Sequence, residues 1–210
     1  MAEAVISHNT WVHRLVRGGV RPLVKSPITP NQLTTLRLVT GIGAAGAFAA
    51  GTEDARMIGV AMMAVSLLLD RADGELARQA GKMSQAGHRY DLIADGLSNG
   101  AVFIGIGIGL TSSALGLWAL ALGLVTGGAA IAGELLLMRL DKLGLQNTAQ
   151  LGGWWGFDPD DGMFLVPVAV ALGFSLELLI VASVGAMAAA IVFFILLWRR
   201  SGSRVPVSGE

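Results

Sequence analysis

The sequence predicts an all-α protein built into a membrane, and three observations carry that prediction. Of its 210 residues, 53% are hydrophobic and 14% charged, with a mean hydropathy of +0.64; soluble domains carry about a quarter charged residues. The apolar residues gather in six segments, each to be set against the roughly 20 residues a spanning helix needs. Turn signals punctuate them: Gly51-Thr52-Glu53-Asp54, Thr111-Ser112-Ser113 and Gly152-Gly153.

The segments lie at about 33–50, 57–70 and onward, 91–110, 115–138, 161–173 and 176–198. The fifth is short and carries Pro167, so it is expected to tilt or kink against its neighbours. With no internal repeat, the expected organisation is one membrane domain over 1–210. It comprises a juxtamembrane segment 1–32, a six-helix bundle 33–198 and a cytoplasmic tail 199–210. No early apolar core ends in a small-residue cleavage site, so no removable signal peptide is expected.

Before the first span, Val5, Ile6, Trp11, Val12, Leu15 and Val16 recur at helical spacing against His13, Arg14 and Arg17. This predicts an N-terminal interfacial amphipathic helix, broken at Gly18-Gly19. A basic flank without structure explains the same residues, and the two readings stand level. Orientation follows from the cations. Arg14, Arg17, Arg21, Lys25, Arg78, Lys82, Arg89, Arg139, Lys142, Arg199, Arg200 and Arg204 fall on one side of six spans and Arg56 on the other. By the positive-inside rule the first side is the cytoplasm, with both termini and the site there, in the cytoplasmic (inner) membrane.

The absence of cysteine excludes disulfides, thiolate nucleophiles and Cys-ligated zinc. A formal net charge of +0 offers nothing to recruit nucleic acid. What remains is carboxylate chemistry. Asp70 and Asp73 are spaced i,i+3, and Asp91 and Asp95 i,i+4, so each pair projects from one helix face. Ionised groups facing hydrocarbon are costly, so four in register point to function rather than to solvated helix ends. Hard divalent cations with oxygen ligands are their natural partners, Mg²⁺ or Mn²⁺ rather than zinc. Gly74, Ala77 and Gly87 leave room for a bulky ligand beside the fixed cation of Arg78, which together describe a phosphoryl-transfer site.

Written as Asp70-x2-Asp73-Gly74-x2-Ala77-Arg78-x8-Gly87-x3-Asp91-x3-Asp95, the stretch resembles the CDP-alcohol phosphotransferase signature at every position. The segment Thr29-Pro30-Asn31-Gln32-Leu33-Thr34-x2-Arg37 is similar to the family's lead-in to its first helix. The resemblance implies transfer of a substituted phosphate from CDP-diacylglycerol or another CDP-linked alcohol to a small alcohol acceptor, with release of CMP. It implies that Asp70, Asp73 and Asp91 hold two divalent cations, with Asp95 both helping to position metal and acting as base. Asp73, Gly74, Ala77, Arg78 and Gly87, with Asn31 and Thr34, would border the donor. The family is often dimeric, so a homodimer surrounded by membrane lipid is expected.

The acceptor is left open. Arg139, Lys142 and Arg199, with Arg200 and Arg204, are candidates for a pocket that takes a polyol phosphate, such as glycerol 3-phosphate or inositol phosphate, although such cations also serve as positive-inside flanks; Glu134 either pairs with Arg139 or lines the acceptor pocket. The run Trp154-Trp155-Gly156-Phe157-Asp158-Pro159-Asp160-Asp161 would suit a cationic amino alcohol, and an interfacial aromatic belt with an acidic helix cap is the simpler account. A divalent-cation transporter and a non-catalytic membrane protein are the competing classes. The transporter should place its carboxylates near the midplane of a through-path, and the scaffold needs no register.

Overall fold

The structure, a computed structural model, describes residues 11–142 and 159–202, with side chains over 16–142 and 162–192. The described residues hold seven α-helices: α1 (Trp11–Val24), α2 (Pro30–Ala49), α3 (Glu53–Gln79), α4 (Gln85–Gly109), α5 (Leu117–Lys142), α6 (Leu165–Ala171) and α7 (Ser175–Gly202). Two 3₁₀ turns, Leu110–Ser112 and Pro159–Phe164, end α4 and lead into α6.

Local chemistry fixes the helix starts. Thr29 and Gln32 form a capping box: the Thr29 hydroxyl accepts from the Gln32 amide at 3.3 Å, and the Gln32 side chain accepts from the Thr29 amide at 2.9 Å. Pro30 occupies the first helical position, where its missing N–H costs nothing. The α2–α3 turn needs Gly51 at φ 68°, and Thr52 then caps α3. Because α4 starts at Gln85, capped by Ser84, Asp91 and Asp95 lie inside the helix rather than at its end.

α1 runs unbroken through Gly18 and Gly19, contrary to the break expected there. Glycine weakens a helix interior by only about 1 kcal/mol. Docking offsets it: Val20, 2% exposed, clusters with Leu33 and Leu76, with Val16 and Leu23 packed beside it. The fifth apolar segment is a 3₁₀ turn followed by one short helix. Pro167 sits in the first turn of α6, where it removes no essential hydrogen bond.

Among the described residues, three helices are long and apolar enough to cross a membrane: α4 with its 3₁₀ turn (Gln85–Ser112), α5 (Leu117–Lys142) and α7 over Ser175–Val192. α2 and α3, at 20 and 27 residues, have the length, but Arg37 and the Asp70 to Arg78 charges lower their hydropathy. The exterior of the bundle is apolar, with Val39, Trp118, Val181 and Ile191 all exposed. A patchwork of that kind suits lipid rather than water.

α4 is the central helix, packed on α2 and α5; α3 covers α2, α1 and α6 rest on α3, and α7 rests on α5. Between lipid-embedded helices close approach matters more than apolar burial. Added Cβ atoms at Gly105 and Gly109 would run into the backbone of α2 at Ala45 and Phe48. At Gly107 and Gly123 they would meet the backbone across the α4–α5 contact, at 2.7 Å in each case, and Gly127 faces Gly100. The Gly105/Gly109 and Gly123/Gly127 faces are therefore used in helix packing inside one chain.

Candidate active site

The packing brings the polar ends of α2, α3 and α4 together. Each contributes residues one turn apart: Thr34 and Arg37 from α2, Asp70 and Asp73 from α3, Asp91 and Asp95 from α4. One carboxylate oxygen from each of Asp70, Asp91 and Asp95 lies within 4.8 Å of the others. Arg37, 2% exposed, stands among them. Its Nη1 donates to Asp70 and to Asp91 Oδ1 (2.9 Å) and is 3.4 Å from Asp95 Oδ1, while Nη2 donates to the Asp91 backbone carbonyl (2.8 Å). The Ser66 hydroxyl donates to the Arg37 carbonyl at 2.9 Å, tying α3 to α2 beside the site.

The structure thus unites three of the four sequence-predicted aspartates. Asp73 is buried and takes a hydrogen bond from Thr34 Oγ1 at 2.7 Å instead. Asp70 has a second arginine: Arg71 Nη1 donates to its Oδ2 at 2.7 Å, with the Arg71 guanidinium 5.8 Å from the centre of the Phe164 ring.

The donor-side residues divide. Gly87 and Asn31 are neighbours, a Cβ at Gly87 coming 3.3 Å from Asn31 Oδ1. A Cβ at Gly74 would meet only the Arg78 guanidinium, at 3.6 Å or more, and Ala77 is half-buried. Arg78 pairs with Glu75, whose Oε2 accepts from its Nη2 at 3.0 Å. Glu75, 4% exposed at its side chain, also accepts from Arg17 of α1 (3.0 Å) and Gln79 (2.9 Å).

Among the acceptor candidates, Glu134 of α5 packs over α4 at Gly96, next to Asp95: a Cβ at Gly96 would lie 3.2 Å from the Glu134 Cβ. Arg139 and Lys142 are exposed at the end of α5. The Arg199 side chain and the 154–161 aromatic–acidic side chains lie outside the described ones.

Sequence reasoning missed two partners. Arg37 was visible only as the end of the lead-in segment, although a cation two turns into an apolar helix is itself a signal. Glu75 fell on an unconstrained position of the motif, and nothing in its spacing distinguishes a buried acid from a solvated one.

The donor set fits a hard divalent cation. Three anionic oxygens converge without histidine or cysteine, and a cationic nitrogen already stands where they meet.

Comparison with known proteins places the chain in a family. Over 102 residues the chain is 34% identical to an archaetidylinositol phosphate synthase of Pyrococcus horikoshii, an alignment covering 43% of this chain and 53% of the relative. The chain thus spans about half the length of the curated relative it matches. The sequence profile of CDP-alcohol phosphatidyltransferases matches residues 27–198, a range that takes in α2, the Asp70 to Asp95 stretch and most of α7, and the chain belongs to that family.

Proposed function

We propose that the protein transfers a substituted phosphate, phosphatidyl from CDP-diacylglycerol, to an alcohol acceptor and releases CMP, as a step of phospholipid synthesis. The observation that carries this reading is the convergence of Asp70, Asp91 and Asp95 at the polar end of α2, α3 and α4, within a chain of this family. A transporter would hold such carboxylates at mid-bundle along a path open at both ends. Here they lie within about three turns of the α3–α4 connection, in the half of the bundle on that side.

Asp70, Asp73 and Asp91, with Asp95, are the ligands for two divalent cations, Mg²⁺ or Mn²⁺; Asp73 joins by giving up Thr34. Bound there, the cations supply charge neutralisation of the donor's two phosphates. The acceptor hydroxyl attacks the lipid-bearing phosphorus, its new P–O bond forming as the bond to CMP breaks. Asp95 takes the hydroxyl proton, and Glu134 beside it faces the acceptor. Gly74, Ala77, Gly87 and Asn31 border the nucleotide, and Arg78, held by Glu75, faces its phosphates.

The acceptor is a polyol phosphate. The synthase relative makes a phosphorylated inositol lipid by its name, and Arg139 and Lys142 are exposed cations at the same end of the bundle, with Arg199 beyond. α2 and α3 complete the membrane domain with their charges turned inward, and the 3₁₀ turn with α6 covers the fifth crossing. α1 lies at the cytoplasmic interface, the termini and the site face the cytoplasm, and the protein works as a homodimer whose contact lies outside the glycine faces already buried.

The test is CMP release by purified protein in lipid nanodiscs, with CDP-diacylglycerol and a panel of acceptors. Release that needs Mg²⁺ or Mn²⁺, stops with chelator and is fastest with inositol phosphate or glycerol 3-phosphate is the expected result. Release indifferent to chelator would overturn the metal assignment; a preference for serine or another amino alcohol would overturn the acceptor.

A further inference from the structure

Arg37 has an arrangement that holding carboxylates does not by itself require. An arginine built for that purpose presents its planar fork and meets a carboxylate at two points. Here a single nitrogen, Nη1, serves Asp70, Asp91 and Asp95 together, while Nη2 is tied to the Asp91 backbone carbonyl. The buried Nε has no hydrogen-bond partner among the described residues, and a buried donor left unmatched calls for a reason. One compact positive centre within ion-pair reach of three carboxylate oxygens resembles the way a metal ion is bound, not the way a guanidinium usually pairs.

We infer that Arg37 is a built-in counter-cation of the Asp70–Asp91–Asp95 triad, displaced by the divalent ion when the site is loaded. Three carboxylates this close repel one another unless a cation stands between them. In the metal-free protein Nη1 supplies it, so the three aspartates keep their places. A magnesium ion draws its oxygen ligands to about 2.0–2.1 Å, and an ion gathering these oxygens would take the place of Nη1. Metal and guanidinium nitrogen therefore exclude each other there. Arg37 lowers the affinity for metal and raises the stability of the protein without it; this inference rests on the metal-dependent reading of the site.

Mn²⁺ binding, read by the loss of its free EPR signal, tests this with Arg37→Gln and Arg37→Lys beside the wild type. Arg37→Gln should bind Mn²⁺ at least about tenfold more tightly, because a competing charge has left the triad. Its metal-free form should melt below wild type and gain more from Mg²⁺, since a ligand stabilises in proportion to its binding. Arg37→Lys, which keeps the charge, should stay near wild type in Mn²⁺ affinity. Equal or weaker Mn²⁺ binding by Arg37→Gln overturns the inference while leaving the metal site standing; no Mn²⁺ binding by wild type overturns the metal reading itself. Should Arg37→Gln fail to fold, the wild-type side-chain ¹⁵N resonance of Arg37, assigned by its loss in Arg37→Lys, decides. Movement on Mg²⁺ titration supports displacement, and an unmoved resonance at saturating Mg²⁺ refutes it.

Discussion

The molecule contains two arginine–carboxylate clusters within a few turns of each other on α3, and they are built in opposite senses. In one, Asp70, Asp91 and Asp95 share Arg37, and Asp70 also takes Arg71. In the other, Glu75 alone serves Arg17 and Arg78. Among the described residues the first group has three acids and two cations, with buried Asp73 adding a fourth acid beside it; the second has one acid and two cations. An excess of carboxylate invites a further cation. An acid outnumbered by its donors is a closed joint, and this one fastens α1 to α3 and sets the direction of Arg78.

Removing a charge from each cluster should therefore have different consequences. Asp91→Asn takes an anion from the group already poised to accept a cation, so metal affinity falls and CMP release drops to background, while helicity and membrane insertion remain. Circular dichroism and an Mn²⁺-dependent CMP assay measure both. Turnover within a few-fold of wild type at saturating metal would dissolve the distinction between the clusters.

Asp95→Asn separates ligand from base inside the first cluster. Loss of a base lowers the chemical step by about 10²- to 10⁴-fold, and extra metal does not restore it. Loss of a ligand weakens metal binding first, and the rate then recovers as metal is raised. Single-turnover CMP release across an Mn²⁺ titration tells the two apart. Retained Mn²⁺ and donor binding with slow transfer at every concentration is expected.

How much of this could be read from the sequence differs between the clusters too. Spacing alone paired Asp70 with Asp73 and Asp91 with Asp95, because a helical period assigns residues to a face. It could not say which member of a pair reaches across to which neighbour. That depends on the rotation and approach of α3 against α2, set by contacts such as Gly59 on Phe48 and Ala44, and it is why Asp73 meets Thr34 while Asp70 meets Arg37. The capping box was present as Thr29 and Gln32 within the lead-in segment, whose fixed residues thus divide into those that start a helix and those that face the site. The run of α1 past Gly18-Gly19 was illegible, because local propensity there is overridden by docking on Leu76 and Glu75.

Glu75→Gln probes the closed joint. Breaking a buried ion pair costs about 3–5 kcal/mol, but Arg17 and Arg78 are 46% and 34% exposed at their side chains, so solvent screening brings the expected loss to about 1–2 kcal/mol. The effect should appear as faster hydrogen exchange in α1 and a donor KM raised several-fold, because Arg78 loses its anchor, with kcat little changed. Unchanged exchange in α1 would mean that Val20 and its apolar neighbours hold the helix without the ion pairs.

The smallest effect is expected at Thr29, which belongs to neither cluster but begins the helix that feeds the first. Thr29→Ala removes the hydroxyl that accepts from the Gln32 amide, a loss of about 1 kcal/mol for a typical N-cap. The other half of the box survives, since the Gln32 side chain bonds to the residue 29 amide whatever its side chain. Pro30 still presets the first turn. Fraying should therefore stop before Arg37, which lies two turns in and is held by the aspartates, while reaching Asn31 and, more weakly, Thr34 on the first turn. Metal affinity should stay within about twofold of wild type, with a slightly lower melting temperature and a modest rise in donor KM. A Mn²⁺ titration beside a thermal melt measures both, and a large loss of Mn²⁺ affinity would show that the cap, rather than the carboxylate partners, holds Arg37 and its triad in register.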